Sequence, residues 1–298
     1  VFATFVNQIV VTGYNGFIGT NLVPELQKKY KVFGISNSFG KNIKIKRLKK
    51  DIKKIKITDI PKNTSHIIHL AAQTDVTFCE QNPQNCFEVN IGGTQNMLEI
   101  ARKINIKFIF LSTSHVFGIT KKLSIDENHL RTPTSIYSAS KIAGEILCES
   151  YAKSYGMDIS IIRLFSVYGP HSPPHLVSNK IINKIKSNKK IDLGNLFPKR
   201  DFIFVDDAIR AILLITKKTH GFETYNVGTG KATSISQLCS IIEKISHSKL
   251  KINVKKSLKR KNEIKKIVAN TKKINRLGWT PQNSLNDGLK KTYDCNMP

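Results

Sequence analysis

The stretch Val11-Thr-Gly-Tyr-Asn-Gly-Phe-Ile-Gly19 contains three glycines spaced three residues apart, and this pattern is the strongest indication of the fold. A β-branched run at residues 7–11 leads into it and predicts a short strand. Residues 20–29 follow it with the apolar spacing of a helix. A glycine-rich turn between a strand and a helix predicts the first βα unit of a parallel sheet.

Each glycine of this turn has an expected role. Gly13 permits the tight turn, Gly16 lets the backbone approach a pyrophosphate, and Gly19 allows the helix to pack closely on the strand. The helix N-terminus adds free N–H groups and the positive end of its dipole. The predicted ligand is therefore a dinucleotide, and the cofactor-binding residues expected in this turn are Gly13, Asn15, Gly16, Phe17, Ile18 and Gly19.

Short apolar strands alternate with longer helices through the first half of the chain. The further strands are expected near residues 31–35, 43–48, 66–70, 107–111 and 158–164. The predicted fold class is α/β, a Rossmann-like doubly wound parallel sheet with a smaller C-terminal substrate-binding lobe. We expect residues 1–170 to form the dinucleotide-binding domain, with strand and helix returns near 202–230, and residues 171–298 to form most of the lobe.

Composition narrows the class of protein. The chain has 298 residues, 40% of them hydrophobic, and a formal charge of +27, which could indicate a nucleic-acid or membrane surface. The basic residues are spread along the chain without interleaved aromatic residues, so nucleic acid is not expected, and the field favours anionic substrates. Five cysteines without a CxxC pair predict neither a metal site nor a disulfide framework. Without a signal-like or spanning apolar run, we expect a soluble cytoplasmic protein without membrane contact.

The end of the second predicted strand bears on the choice of dinucleotide. Ser36 and Asn37 stand where an acidic residue would accept the ribose hydroxyls of NAD, and the basic residues Lys41, Lys44 and Arg47 follow. This pattern favours NADP over NAD. Asp51 and Ile52 stand where they could contact the adenine, or form an ordinary surface turn.

Tyr137 and Lys141 are four residues apart at the start of a predicted helix, so they share one face. An ammonium about 4 Å from a phenolate would lower the pKa of a tyrosine from about 10 to about 7. Such a tyrosine could act as a general base. The alternative is an exposed pair on an amphipathic helix.

With these residues in view, the chain resembles the extended short-chain dehydrogenase/reductases, in particular the NAD(P)-dependent nucleotide-sugar epimerases, dehydratases and reductases. The resemblance covers nearly the whole length and is carried by the following motifs: Thr-Gly13-x-x-Gly16-Phe-Ile-Gly19, Leu-Ala71-Ala72-Gln73, Val89-Asn90-x-x-Gly93-Thr94, Leu-Ser-Thr113-Ser-His-Val-Phe-Gly118, Tyr137-x-x-x-Lys141, Arg163-x-x-Ser-Val-Tyr-Gly-Pro170, Arg200-Asp-Phe-x-x-Val-x-Asp207 and Leu277-Gly-Trp-x-Pro281.

The resemblance implies roles for individual residues. Tyr137 would be the acid/base, Lys141 would hold the nicotinamide ribose, and Thr113 would orient the reacting sugar hydroxyl or ketone. Relatives commonly form homodimers, so a homodimer is expected. The cofactor would also be lined by Leu70, Ala71, Ala72 and Gln73. The substrate-binding residues implied for a nucleotide-diphosphate sugar are Thr74, Ser114, His115, Ser166, Asn179, Arg200 and Arg260.

One departure from the family pattern restricts the reaction. The 4,6-dehydratases carry an Asp-Glu pair where this chain has Ser114 and His115, so dehydration is not expected. His115 could be an acid or base, or a side chain packed beside the strand end. Two reactions at C4 of the sugar remain: reduction of a 4-keto sugar in deoxysugar or rare-sugar biosynthesis, or epimerisation with tightly held NAD.

The strand end at Ser36 favours the reductase, and the 4-epimerase is the alternative. A third reading, from another class, is a non-catalytic polyanion-binding protein on the same fold. For Arg200 and Arg260, the alternative to a phosphate ligand is a solvated surface charge.

Overall fold

The structure is a computed structural model that describes residues 7–39, 43–120, 124–258 and 263–295. Its strands are β1 (Gln8–Thr12), β2 (Lys31–Ser36), β3 (Lys46–Lys49), β4 (Thr64–His69), β5 (Lys107–Thr113), β6 (Ile159–Leu164), β7 (Ser166–Tyr168), β8 (Ile191–Leu193), β9 (Lys199–Arg200), β10 (Phe202–Phe204), β11 (Phe222–Val227), β12 (Thr233–Ser234), β13 (Ile252–Val254) and β14 (Lys266–Ile267). Its helices are α1 (Phe17–Gln27), α2 (Val76–Gln81), α3 (Pro83–Phe87), α4 (Gly93–Lys103), α5 (Ile136–Tyr155), α6 (Val177–Lys186), α7 (Val205–Lys218), α8 (Ile235–Ser246), α9 (Lys272–Arg276) and α10 (Leu285–Cys295).

Seven strands form the central sheet in the order β11-β6-β5-β4-β1-β2-β3. β1 lies between β2 and β4 and is parallel to both, so the chain changes direction across the sheet at β1. β3 and β5 extend the parallel pairing on the two sides. This is the predicted Rossmann-like fold, and its switch point lies between β1 and β4, where ligands of open parallel sheets bind.

Burial explains why these segments are strands. Ile9, Val10 and Val11 of β1 are fully buried, and all of β6 is buried, because helices cover both faces of a parallel sheet. β3 is the exception at the sheet edge, where lysine and arginine side chains are exposed. The predicted lysine-rich strand is therefore present, but it covers residues 46–49 and is shorter than the expected 43–48. Its charged side chains oppose edge-to-edge pairing with other chains.

The connection between β4 and β5 is helical. α2 has only six residues, too few to show a helical period in the sequence, and Asp75 caps it through the N–H groups of Thr77 and Phe78. α3, a π-helical turn (Glu88–Gly92) and α4 then follow one another directly. Such π turns often occur at functional positions, and this one carries Asn90.

The chain divides into two compact units. The first contains residues 1–116, 133–163 and 212–225, and the second contains residues 117–132, 164–211 and 226–298. The expected division of cofactor and substrate binding at residue 170 stays a prediction. Among the described residues, no helix is long and apolar enough to cross a bilayer.

Buried carboxylates organise the second unit. Asp201 accepts from the N–H groups of Thr229 at 2.7 Å, Gly230 at 2.9 Å and Ala269 at 3.1 Å. Asp207 lies in the first turn of α7, and its side chain accepts from the N–H groups at 282 and 283, each at 3.0 Å. These carboxylates therefore hold loops together, as their complete burial requires.

Candidate active site

The glycine turn after β1 has the geometry of a phosphate cradle. Gly13 has φ +68°, and a Cβ there would lie 2.8 Å from the Ala71 nitrogen. A Cβ on Gly19 would lie 2.5 Å from the carbonyl oxygens of Gly13 and Tyr14, so this glycine is required by the turn itself. A Cβ on Gly16 would meet only the Gly13 oxygen, at 3.3 Å. Of the three turn glycines, Gly13 and Gly19 are therefore the two that packing requires.

The first turn of α1 is open to a ligand. Gly16 is exposed and forms the N-cap, and no side chain caps the helix. The N–H groups at the start of this 11-residue helix can therefore bind an anion such as a diphosphate. This arrangement fits a dinucleotide.

The segment after β4 lies beside the same turn. The backbone nitrogens of Leu70 and Ala71 donate to the Thr12 carbonyl at 3.2 Å and the Thr12 hydroxyl at 3.1 Å. These bonds bring the predicted cofactor residues 70–73 to the switch point. Ala72 and Gln73 are half-buried there, and Thr74 is exposed.

Hydrogen bonds join the glycine turn to the end of β2. Asn15 Nδ2 donates to the Ser38 carbonyl at 3.1 Å and hydroxyl at 2.8 Å, and Ser36 Oγ donates to Asn15 Oδ1 at 2.6 Å. Asn37 is exposed at this end. Asp51 caps a short 3₁₀ turn by accepting from the Lys53 nitrogen at 2.9 Å. Ile52, the first residue of that turn, is buried.

The basic residues invoked for NADP lie on or near β3, the edge strand beside β2. Ser36 pairs with Lys49, and Lys44 precedes β3 by two residues. The Arg47 guanidinium lies 5.0 Å from the centroid of the Phe39 ring. Arg47 therefore lies against the segment that follows β2. Lys41 lies outside the described residues.

Tyr137 and Lys141 are both buried in the first two turns of α5, with 8% and 4% of their surface exposed. Burial rules out the alternative of an exposed surface pair. Ser135 caps this helix by accepting from the Ser138 nitrogen at 3.1 Å, which fixes where the turn with Tyr137 begins. Thr113, the last residue of β5, forms a hydrogen bond with the Tyr137 hydroxyl.

The electrostatics correct one expectation. Burial raises the pKa of Tyr137 to about 12, and the hydrogen bond with Thr113 opposes this only in part. Burial also lowers the pKa of Lys141 to about 8. The predicted fall in the pKa of Tyr137 is therefore wrong for the protein without ligands, because desolvation of the phenolate is the largest effect and the Lys141 charge is not among those that act on the phenol.

A hydrogen-bonded chain of polar side chains begins at the cofactor cradle. Thr94 Oγ1 donates its hydrogen to the Asn90 carbonyl at 2.6 Å, so it must accept from His69 Nε2 at 3.1 Å. His69 Nδ1 is then the acceptor for the Thr12 hydroxyl at 2.9 Å. Burial, aided by the charge of Lys141, lowers the pKa of His69 to about 3, so this imidazole is neutral.

Asn90 continues the chain to the tyrosine. Its Oδ1 accepts from the Gln73 nitrogen at 2.7 Å, and its Nδ2 donates to the Gln73 carbonyl at 2.9 Å and to Ser140 Oγ at 2.9 Å. Ser140 Oγ donates to the Tyr137 carbonyl at 2.8 Å. The cofactor segment after β4 and the first turns of α5 are thus held in one network.

Ser114 and His115 follow Thr113 in a 3₁₀ turn (Ser114–Phe117). Ser114 is buried, with 3% of its surface exposed. The His115 ring meets the Tyr137 ring edge to face, with centroids 5.9 Å apart and planes at 72°, and its backbone nitrogen donates to Thr113 Oγ1 at 3.3 Å. His115 thus packs beside the strand end and also borders the tyrosine.

The predicted substrate residues of the second unit have internal partners. Arg200 donates to the carbonyls of Ile264 at 2.6 Å and Lys199 at 3.0 Å. Asn179 is buried and donates to the Ser172 carbonyl. Ser166 begins β7, and its nitrogen donates to the Asp201 carbonyl at 2.9 Å. Arg260 lies outside the described residues.

The sequence assigned no role to three buried polar residues beside Tyr137 and Lys141. They are His69, Asn90 and Glu145. A histidine at the end of an apolar strand, the spacing of Asn90 and Thr94 by four residues, and a glutamate four residues after Lys141 are the signals that could have found them.

Comparison with known proteins gives consistent results. The family described as GDP-mannose 4,6 dehydratase matches residues 10–292. The uncharacterized UDP-glucose epimerase YtcB of Bacillus subtilis is 33% identical over 95% of both chains. The UDP-glucuronate 4-epimerase of Thermodesulfobacterium geofontis is 33% identical over 96% of this chain and 94% of its own. The crystal structure of UDP-glucuronic acid 4-epimerase from Bacillus cereus, in complex with UDP-glucuronic acid and NAD, is 32% identical, with a TM-score of 0.90 over 97% of this chain and 98% of its own.

Proposed function

The chain belongs to the GDP-mannose 4,6-dehydratase family of extended short-chain dehydrogenase/reductases, and we propose that it is an NAD-dependent nucleotide-sugar 4-epimerase. It is an enzyme of this type, and its relatives include named 4-epimerases at 33% and 32% identity. They favour the epimerase over the 4-keto-sugar reductase that the end of β2 suggested. The observation that carries the proposal is the buried pair Tyr137 and Lys141, with the half-buried Thr113 at the Tyr137 hydroxyl, in the same unit as a dinucleotide cradle.

Two side chains support epimerisation over dehydration. Dehydration needs an acid and a base in addition to the tyrosine, and Ser114 and His115 supply no carboxylate beside Tyr137. Epimerisation needs only one proton moved at the C4 oxygen. The available side chains therefore match the simpler reaction.

The cradle supports NAD as the cofactor. The exposed Gly16 and the uncapped start of α1 fit its diphosphate, and the segment 70–73 lies beside them. When bound, NAD supplies the hydride acceptor and donor and, in its oxidised form, a positive charge. The solved Bacillus cereus relative was crystallised with NAD.

In the proposed reaction, Tyr137 takes the proton of the C4 hydroxyl when C4 is oxidised to the ketone, and it returns a proton to the same oxygen when the ketone is reduced from its opposite face. Its pKa of about 12 keeps the phenol protonated at rest, so it is ready as an acid and needs nearby positive charge to act as a base. Lys141 supplies one such charge below its pKa of about 8. Thr113 orients the hydroxyl through its contact with the Tyr137 hydroxyl.

The nucleotide end of the substrate belongs to the second part of the proposal. We propose that residues 171–298 bind most of the nucleotide diphosphate, with Arg200 as the phosphate ligand, because a guanidinium can bind two phosphate oxygens at once. Its bonds to the carbonyls of Ile264 and Lys199 would then fix its orientation. The expected homodimer stays a prediction.

An assay of epimerisation tests the function. Purified protein is incubated with UDP-glucose and, separately, with UDP-glucuronate, and the C4 epimers are resolved by chromatography, while mass spectrometry identifies the copurifying dinucleotide. We expect epimer formation, retained NAD and a loss of about 10²–10⁴-fold in Tyr137→Phe. Tyr155→Phe is the matched control, because Tyr155 lies on the same helix and is 58% exposed.

Other outcomes would overturn the proposal. Consumption of NADPH with a 4-keto sugar and release of the oxidised cofactor would establish the reductase. Salt-sensitive binding of heparin without any turnover would establish the polyanion-binding protein.

A further inference from the structure

We infer that Phe110 is a positioning residue that holds the Lys141 ammonium in place through a cation–π contact. The inference rests on the proposed function, in which Lys141 must stay charged beside Tyr137. Phe110 lies in the middle of β5, three residues before Thr113, and in this role it acts through Lys141.

The contact itself is close. Lys141 Nζ lies 4.1 Å from the centroid of the Phe110 ring, well within the distance of about 6 Å at which such contacts are significant. Phe110 is completely buried and Lys141 is 4% exposed. Water therefore screens the contact poorly, and the ring quadrupole stabilises the charged amine more than the neutral one.

Two further contacts fix the position of the Phe110 ring. Gly144 lies against it, and a Cβ at this position would be 2.6 Å from Phe110 Cζ. His69 stacks with the ring at a centroid distance of 6.1 Å and an angle of 18°. Because Gly144 leaves space for it and His69 packs against it, the ring holds one position under the first turns of α5.

Other charged and titratable groups lie around Lys141, and none of them replaces the contribution of the Phe110 ring to keeping the amine protonated. Glu145 favours the ammonium, but Arg163 donates two hydrogen bonds to that carboxylate. The thiol of Cys148 is neutral because burial raises its pKa. The thiol of Cys86, in α3, is the other sulfur group that influences the Lys141 amine. His69, from β4, is neutral.

The function needs this stabilisation because burial works against it. With a pKa of about 8, Lys141 is mostly protonated at neutral pH, but a further fall would leave much of it neutral. A neutral lysine would no longer favour the phenolate form of Tyr137. Phe110 thus acts on the acid/base step through Lys141.

The test compares two phenylalanines of the same strand. Phe110→Leu removes the ring below Lys141, and Phe108→Leu is the matched control. Phe108 is also fully buried and also contacts His69, with centroids 5.6 Å apart. The pKa of Lys141 is read by NMR of protein with isotope-labelled lysine, its signal being assigned by its absence in Lys141→Met.

We expect the pKa of Lys141 to fall by about one pH unit in Phe110→Leu and by only a few tenths in Phe108→Leu. The alkaline limb of the activity profile should move down with it in Phe110→Leu alone. Equal titration in Phe110→Leu and wild type, or equal falls in both variants, would overturn the inference. If Phe110→Leu does not fold, Phe110→Met fills the space without a ring and takes its place.

The titration requires no substrate, so it separates the two proposals. A wild-type protein that epimerises no nucleotide sugar overturns the proposed function, while the NMR result still decides the role of Phe110.

Discussion

The Arg163 guanidinium donates two hydrogen bonds to the Glu145 carboxylate, from Nε to Oε1 at 2.9 Å and from Nη2 to Oε2 at 2.7 Å. Glu145 is fully buried and Arg163 is 4% exposed. The Ser112 hydroxyl donates to the same carboxylate at 2.6 Å. The pair therefore joins α5 to β6. Through Ser112, which directly precedes Thr113, it also joins both to β5.

Arg163→Leu should destabilise the protein by about 3–5 kcal/mol, because it leaves the Glu145 charge buried without its partner. The double variant Glu145→Leu/Arg163→Leu should recover most of that loss, since it removes both charges. Urea unfolding of the wild type and the two variants measures the difference. A single variant as stable as the double variant would contradict this account of the pair.

Two glycines of the cradle should respond differently to alanine. Gly16→Ala should keep the melting temperature close to that of the wild type and weaken NAD binding at least tenfold, because its new methyl group meets only one protein atom within 4 Å, at 3.3 Å. Gly13→Ala should lower the melting temperature as well, because φ is +68° and the methyl group would press on Ala71. Calorimetry of NAD binding and thermal unfolding of both variants provide the measurements. Normal NAD affinity in Gly16→Ala would argue against the cradle.

Lys141→Met should raise stability at pH 7 while abolishing activity. The pKa of Lys141 is lowered on folding from 10.5 to about 8, so the buried charge destabilises the fold fully below about pH 8. That cost disappears as the pH rises from 8 toward 10.5, where the folded protein has already lost the proton. The gain in melting temperature should therefore shrink across this range. A gain that is constant between pH 7 and pH 10.5 would show that it comes from packing alone.

The exposed end of β2 should tune the choice of cofactor. Asn37→Asp places a carboxylate where the adenosine ribose is expected, so it should weaken NADP binding at least tenfold and change NAD binding little. Lys44→Ala is the control, because Lys44 precedes the edge strand β3 by two residues. Fluorescence titration with both dinucleotides measures the affinities. If Lys44→Ala weakens NADP binding more than Asn37→Asp does, the placement of this site is wrong.

The local signals of the sequence predicted much of the fold. The strand, glycine turn and helix at residues 8–27 are correctly predicted, because turn glycines and hydrophobic period act over a few neighbouring residues. The π-helical turn at Asn90 was not predicted from the sequence. The Asn90 side chain forms hydrogen bonds with Gln73 and Ser140, which are 17 and 50 residues away, and no local pattern shows such contacts.

The family, the cradle and the Tyr137–Lys141 spacing can be identified from residue type and order alone. The electrostatic state of that pair depends on how the chain folds around it. Burial raises the pKa of Tyr137 and lowers that of Lys141, and the Phe110 ring lies under the ammonium. Desolvation depends on every chain segment that covers a side chain, and no local spacing encodes it.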